Sequence, residues 1–465
     1  MLKAEKKLYF CILCGVLGIL LALIFNKVAI NDEMEHLRMS WLVGHGEVPY
    51  RDFFEHHHPL IWYLFAPIIM VLPHNILWSF YTAKLVSFIC VLITYYIIYL
   101  MIKRFLGGVH LVPYFFVVLF MFYPIWYGSS LFKPDTFSRL FYFLGLYQFF
   151  CYLETEKRSC LVYGAISFTI SFLFLQTIVF SILPLAIPMG FYLYKNPRKI
   201  SDYMSASVIP LIILGGGLLI IGDTWKEYYQ LNWILNREML SITNSTETRV
   251  YDYIVVLIAA LIILILRYRR NLLSDYDKIL GILFLAEFIQ HIYMPATYSH
   301  YLILLFIFTA LIVFPVFEKI FADYNNKQIK LLIYIFLLMM LCINFVTLYF
   351  SSNKGLWSGF NMVNANEEAV VINVSQHYTP VYTKKYSYYG LYNSLHYLDD
   401  KLFHRIPEYD VSKLIEEQKP KYITYDIQID KKKKIPKRFR VSKEVLEKYE
   451  EITHWLWQRK ETLEK

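Results

Sequence analysis

The chain has 465 residues, 57% of them hydrophobic, 18% aromatic and 18% charged, with a formal net charge of +9. Together with a mean hydropathy of +0.41, this is too apolar for an ordinary soluble protein of such length and describes a polytopic membrane protein. The basic excess gathers at junctions between apolar runs, where it faces anionic lipid, so it argues against a nucleic-acid partner.

Apolar runs of about 17 to 25 residues can cross the hydrocarbon core as helices, and about eleven can be drawn along the chain. They fall near residues 8–30, 78–102, 110–127, 134–153, 160–176, 178–194, 203–222, 251–267, 277–294, 299–317 and 329–350. The first follows Lys3, Lys6 and Lys7 but is long and lacks a small-residue cleavage site, so it is expected to be a retained helix. Basic residues mark every second junction: Lys103 and Arg104, Lys157 and Arg158, Lys195 with Arg198 and Lys199, Arg267 with Arg269 and Arg270, then Lys327 and Lys330. By the positive-inside rule these junctions and the N-terminus are cytoplasmic, which puts the opening loop, "KPDTF", "HIYMPATYSHY" and the segment after Phe350 outside. All six cysteines lie in or beside proposed helices, so no disulfide is expected.

Residues 1–350 therefore read as a transmembrane domain with a first external loop over 31–60, and residues 351–465 as a small extracytoplasmic domain. In that tail "AVVINVS" and "KYITY" read as strands and "DVSKLIEEQ" and "SKEVLEKYEEI" as helices, the alternation of a small α/β fold. Its run "KKKKIPKRFR" reads as a solvated loop.

The first loop, "NDEMEHLRMSWLVGHGEVPYRDFFEHHHPL", holds six acidic residues, five histidines and two arginines. Asp32 and Glu33 fall at a helix mouth, where low dielectric raises a carboxylate's pKa and suits it to act as a base. The apolar "PLIWYLFAPIIMVLP" that follows is too short and Pro-bounded to span, and reads as a segment lying along the interface. Asp135 stands between Lys133 and Arg139, either as a salt-bridged cap or as the organiser of a phosphate-binding cation pair. Lys84 lies inside an apolar run, where an ammonium needs an anionic partner or snorkels, and His300 with Tyr301 marks another outer helix mouth. His56, His57 and His58 raise a divalent metal, with Glu55, His57 and His58 as ligands and Asp52 nearby. Consecutive residues rarely all face one ion, so no metal cofactor is firmly expected and a divalent ion stands as the lesser alternative.

These elements resemble the GT-C glycosyltransferases that use polyprenyl-phosphate sugars, particularly family 39, which includes bacterial aminoarabinose transferases and protein O-mannosyltransferases. The resemblance rests on "DE" at Asp32 and Glu33, "GEVPYRDFFEHHHPL", "KPD" at Lys133 to Asp135, Gln176 and "SHYLILL", and spans roughly the first 320 residues. Where the family commonly has "PPL", this chain has "HHHPL" from His56 to Leu60.

The resemblance implies an α-helical, GT-C-like membrane enzyme of the bacterial inner membrane. Asp32 would be the catalytic base on an acceptor hydroxyl, Glu33 and Asp135 would assist, and Lys84, Lys133, Arg139, His300 and Tyr301 would bind the donor phosphate. The transfer would invert the anomeric centre and take place at the extracytoplasmic face. The implied partners are a polyprenyl-phosphate-sugar donor, a lipid, polysaccharide or protein acceptor, and membrane lipid. The alternative read from the same residues is a transporter or flippase, which usually places charge near the midplane and repeats its halves.

Overall fold

The structure is a computed structural model that describes residues 31–53, 55–73, 75–107, 131–238, 253–293, 299–323, 371–373, 410–425, 441–453 and 456–460. The expected runs 8–30, 110–127 and 329–350 lie outside these residues. The chain divides into two compact units: Met1–Lys27, Lys84–Ile220 and Thr243–Ser351 form one, and Val28–Ala83, Ile221–Ile242 and Ser352–Lys465 form the other.

The described residues of the first unit form helices. Among the described residues, Ile76–Leu106, Gln176–Lys195 and Pro197–Gly217 are long and apolar enough to cross a membrane. Further helices occupy Pro134–Thr155, Arg158–Phe174, Ile254–Arg269, Asp275–Tyr293 and Ile303–Asp323, on or beside the expected runs. Their shared core includes Ile98, Met101, Phe143, Leu146, Phe150, Leu280, Phe284, Leu305 and Phe308.

Helix Pro134–Thr155 starts with Pro134 in the first turn, where its missing N–H costs nothing, and ends on Glu156 at φ 54°, whose N–H bonds to the Tyr152 carbonyl. This cap turns the chain back into helix Arg158–Phe174. The pair approaches closely because Gly145 and Gly164 carry no side chain. A Cβ on Gly145 would lie 2.8 Å from the Phe168 ring, and one on Gly164 would lie 3.4 Å from the Gly145 carbonyl. Small residues at such a crossing let two helices pack where no hydrophobic force drives them together. Ser138 and Ser171 add reciprocal bonds, each hydroxyl donating to the other's carbonyl, at 3.0 and 2.7 Å.

The hairpin of helices Ile254–Arg269 and Asp275–Tyr293 is closed by charge. Arg267 meets Asp277 at 3.0 Å, and the Ser274 N–H and hydroxyl donate to the other Asp277 oxygen at 2.9 and 2.7 Å.

In the second unit, α1 (Asn31–Gly44) and α2 (Leu60–Val71) pack together across a loop. The opening of the polar stretch read as a loop is thus helical, because Glu, Met, Leu and Arg favour helix and no breaker comes before Gly44. Gly46, at φ 87°, makes the exit turn. A Cβ on Gly44 would fall 2.6 Å from the Met70 Cγ, so this glycine lets the end of α1 lie against α2. Helix α2 buries Ile61, Trp62, Phe65, Ala66 and Ile69 on one face and exposes Leu64, Met70 and Val71.

Among the described residues, the tail holds a four-stranded sheet in the order β1-β2-β4-β3, with β1 Val371–Asn373, β2 Tyr422–Thr424, β3 Tyr449–Thr453 and β4 Leu456–Arg459. Strands β1 and β2 run parallel, and the other pairs are antiparallel. Helix Val411–Gln418 is capped by the Asp410 side chain, which accepts from Lys413 N–H, and it buries Val411 and Ile415 against Ile423, Val445 and Tyr449. The expected helix over "SKEVLEKYEEI" is confined to Lys443–Leu446, and the rest becomes β3. Pairing with β4 and burial of Tyr449, whose hydroxyl donates to the Pro420 carbonyl at 2.9 Å, override the local helical preference.

Candidate functional site

Helix α1 is polar in composition and buried in place. Glu33, His36, Arg38 and Ser40 are fully buried, Glu35 nearly so, and Asp32 is half-buried. Charged groups are rarely enclosed without partners, so this face is a built polar interior. Trp62 Nε1 of α2 donates to His36 Nδ1 at 3.1 Å. Because indole is donor-only, that ring nitrogen of His36 must be an acceptor. The Ser40 hydroxyl donates to the His36 carbonyl at 2.7 Å, and the Arg38 guanidinium lies 5.7 Å from the Trp41 ring centroid.

The loop between the helices is held by its own polar groups. Asp52 accepts from the Val48 N–H at 2.7 Å and pairs with Arg51 at 2.9 Å. That guanidinium, with the Val48 N–H, holds the Asp52 carboxyl below the usual carboxylate range. Tyr50 takes φ 70° and donates its hydroxyl to the His57 carbonyl at 2.7 Å, while burial pushes its phenol well up. Asn236 donates to the His56 carbonyl at 2.8 Å, and Tyr228 bonds His58 Nε2 at 2.7 Å.

Three histidines and a carboxylate are thereby set in fixed directions. Glu55 Oε1 accepts from the His56 N–H and from His57 Nδ1, both at 2.7 Å. Burial by itself would raise the Glu55 carboxyl, but the adjoining His57 and His56 outweigh it and hold the group well below the usual range. Burial, with His57 beside it, lowers the His56 ring below the ordinary histidine value against the pull of Glu55 and Asp32. The set suited to a metal is Glu35, Glu55, His56 and His57, whose ligand atoms all lie within 4.8 Å of one another. It differs from the trio weighed on sequence, since His58 faces Tyr228 and Glu35 joins from α1.

Other expected site residues belong to the first unit. Lys84, Lys133, Asp135, Arg139 and Gln176 are all buried, and Tyr301 is half-buried. Arg139 lies within electrostatic reach of Asp135 and Tyr95 and donates to the Thr136 hydroxyl at 3.3 Å. The side chain of His300 lies outside the described residues. Sequence reasoning passed over Glu35, His36 and Arg38, whose signal was three charged or titratable residues within four positions directly after Asp32 and Glu33, broken only by Met34 and Leu37. It also passed over Tyr228 and Asn236, nearly two hundred residues from their partners, and the buried group of Ser181, Glu287 and His291, where the serine hydroxyl donates to Glu287.

Residues 57–221 match the protein family described as dolichyl-phosphate-mannose-protein mannosyltransferase (PMT_2). No curated protein sequence matches the chain. Among solved structures, the crystal structure of ArnT from Cupriavidus metallidurans bound to undecaprenyl phosphate superposes with a TM-score of 0.52, at 11% identity, over 78% of this chain and 70% of that one. The chain has the ArnT fold. The resemblance to GT-C glycosyltransferases read from motifs along roughly the first 320 residues is thus met by both the family match and the ArnT-like architecture. The matched family segment opens at His57 and takes in α2, Lys84, Lys133, Asp135, Arg139 and Gln176.

Proposed function

We propose that this chain is an integral membrane glycosyltransferase that moves a sugar from a polyprenyl-phosphate donor to an acceptor hydroxyl. The observation that carries the reading is the family match over residues 57–221, in a chain with the fold of an ArnT whose structure holds undecaprenyl phosphate. The reading places the reaction at the extracytoplasmic face of a bacterial inner membrane, in keeping with the basic residues at alternate helix junctions.

Asp32, in the first turn of α1, acts as the base that takes the proton from the acceptor hydroxyl as it attacks the anomeric carbon, and Glu33 supports it. The attack inverts that centre, and the C–O bond to the polyprenyl phosphate breaks. A phosphate is an acidic leaving group, so the reaction needs cationic stabilisation more than a general acid. Lys133 and Arg139, buried beside Asp135 on one helix start, supply that chemistry, with Lys84, His300 and Tyr301 as further donors to phosphate oxygen.

The test compares wild type with Asp32→Asn in membranes at matched expression, following label from a panel of polyprenyl-phosphate sugars into the acceptor fraction. Transfer by wild type, reduced about 10²- to 10⁴-fold in the variant, is expected of a lost general base. Undiminished transfer by the variant would remove Asp32 from the role. Absence of transfer from every donor by wild type would favour the transporter reading.

A further inference from the structure

The four groups that converge beside α1 come from two backbone segments, Glu35 from the helix and Glu55, His56 and His57 from the loop. Three of them are buried and His57 is half-buried. The loop carbonyls are fixed by Tyr50 and Asn236, and the next ring by Tyr228, so the rings cannot swing freely away from Glu55. The His56 and His57 rings stand 4.0 Å apart, and the His36 ring meets His57 edge-on at 5.0 Å. The Glu55 carboxylate has no exposure, both described donors reach it on Oε1, and Oε2 accepts no hydrogen bond among the described residues. A buried carboxylate oxygen left without a donor is costly, and such an atom calls for a bound partner.

We propose that Glu35, Glu55, His56 and His57 bind one divalent ion of the zinc type, in a closed structural site that clamps α1 to the loop. Two imidazoles and two carboxylates suit zinc, whereas calcium and magnesium require more oxygen ligands than the four groups offer. Zinc bonds of about 2.0–2.1 Å in a tetrahedron set neighbouring donor atoms roughly 3.4 Å apart. Donors already within 4.8 Å of one another need at most about 1.4 Å of further approach to reach that spacing. Where the ion takes Nδ1 of a neutral His57, the proton now facing Glu55 Oε1 moves to Nε2, because a metal-bound imidazole nitrogen carries no hydrogen. Glu35 stands one turn after Asp32, so the clamp fixes the turn that carries Asp32 and Glu33. Four protein ligands leave no open position, which makes the ion a brace for that turn.

The experiment reads the ion without donor or acceptor, so its outcome is independent of the transfer reaction. Full-length protein without a histidine tag is purified in detergent, stripped with a chelator and titrated with Co²⁺. Wild type is expected to take up a single cobalt per chain with the intense visible bands of a tetrahedral ion, to release it to zinc, and to melt at higher temperature when loaded. Glu55→Gln and His57→Gln are expected to lose the bands and the melting shift, while His45→Gln, which alters an exposed ring outside the cluster, keeps both. If Glu55→Gln fails to fold, His57→Gln, at a half-buried position, carries the comparison. Wild type without tetrahedral bands, or Gln variants that bind cobalt within about tenfold of wild type, would overturn the proposal.

Discussion

Asp52 shows how one side chain stabilises a loop through charge. Its carboxyl is held below the usual range by Arg51 and the Val48 N–H, so the folded form binds its proton less readily than the unfolded chain does. The stabilisation is present above the unfolded value of about 3.9 and is lost as pH falls through the lower folded value. Both partners are partly exposed, which limits the pair to about 1 kcal/mol or less. Asp52→Asn is therefore expected to lower the melting temperature slightly at neutral pH, with the difference from wild type shrinking as the pH is taken below about 3.9. Equal differences at both pH values in thermal scans would contradict this. Tyr228→Phe deletes the hydroxyl on His58 and is expected to cost about 1–2 kcal/mol, because a buried imidazole nitrogen loses its partner. Chemical denaturation of the two proteins in matched detergent measures it.

At the scale of elements, helix pairs are fixed by a few small or charged positions. Gly145→Val places branches into the space of Phe168, and overpacking of this kind costs about 1–3 kcal/mol. The expected result is a lower melting temperature, partly restored by Phe168→Ala on the same background. Asp277→Ala takes the anion from the Arg267 guanidinium, 13% exposed in its hairpin and left with long 3.5 Å bonds to the Ile312 and Leu272 carbonyls, and removes the acceptor that organises Ser274. Breaking one half of such a pair costs about 3–5 kcal/mol, so this change is expected to destabilise more than Arg267 and Asp277 replaced together by apolar residues. A double-mutant cycle on detergent-solubilised protein decides it. The helical periods and basic junctions around these elements were plain in the sequence. Gly145 against Phe168 was not, because a glycine in an apolar run carries no sign of what faces it.

At the scale of the whole molecule, chain order and spatial order part company. The compact units are assembled from separated segments, three each. In the tail, the last strand in sequence, β4, lies between β2 and β3 in the sheet. Truncation before Leu456, a fully buried residue, is therefore expected to strip both neighbours of their partner and unfold the tail's sheet. Rapid proteolysis between residues 410 and 453 of the truncated protein, with slow cleavage of the full chain, would confirm this.

The sequence by itself determined that the chain is a membrane protein, that its described apolar runs are helical, and that its first polar stretch resembles a GT-C glycosyltransferase. Those properties follow from composition, period and short motifs, each read within about 20 residues. The tertiary structure decided what the polar stretch becomes. It made Asn31–Gly44 a buried helix, turned His58 to Tyr228 and brought Glu35 across to Glu55, His56 and His57. It also drew the end of "SKEVLEKYEEI" into a strand. Burial and long-range pairing set these outcomes, and both depend on partners far away in the chain, which local pattern does not encode.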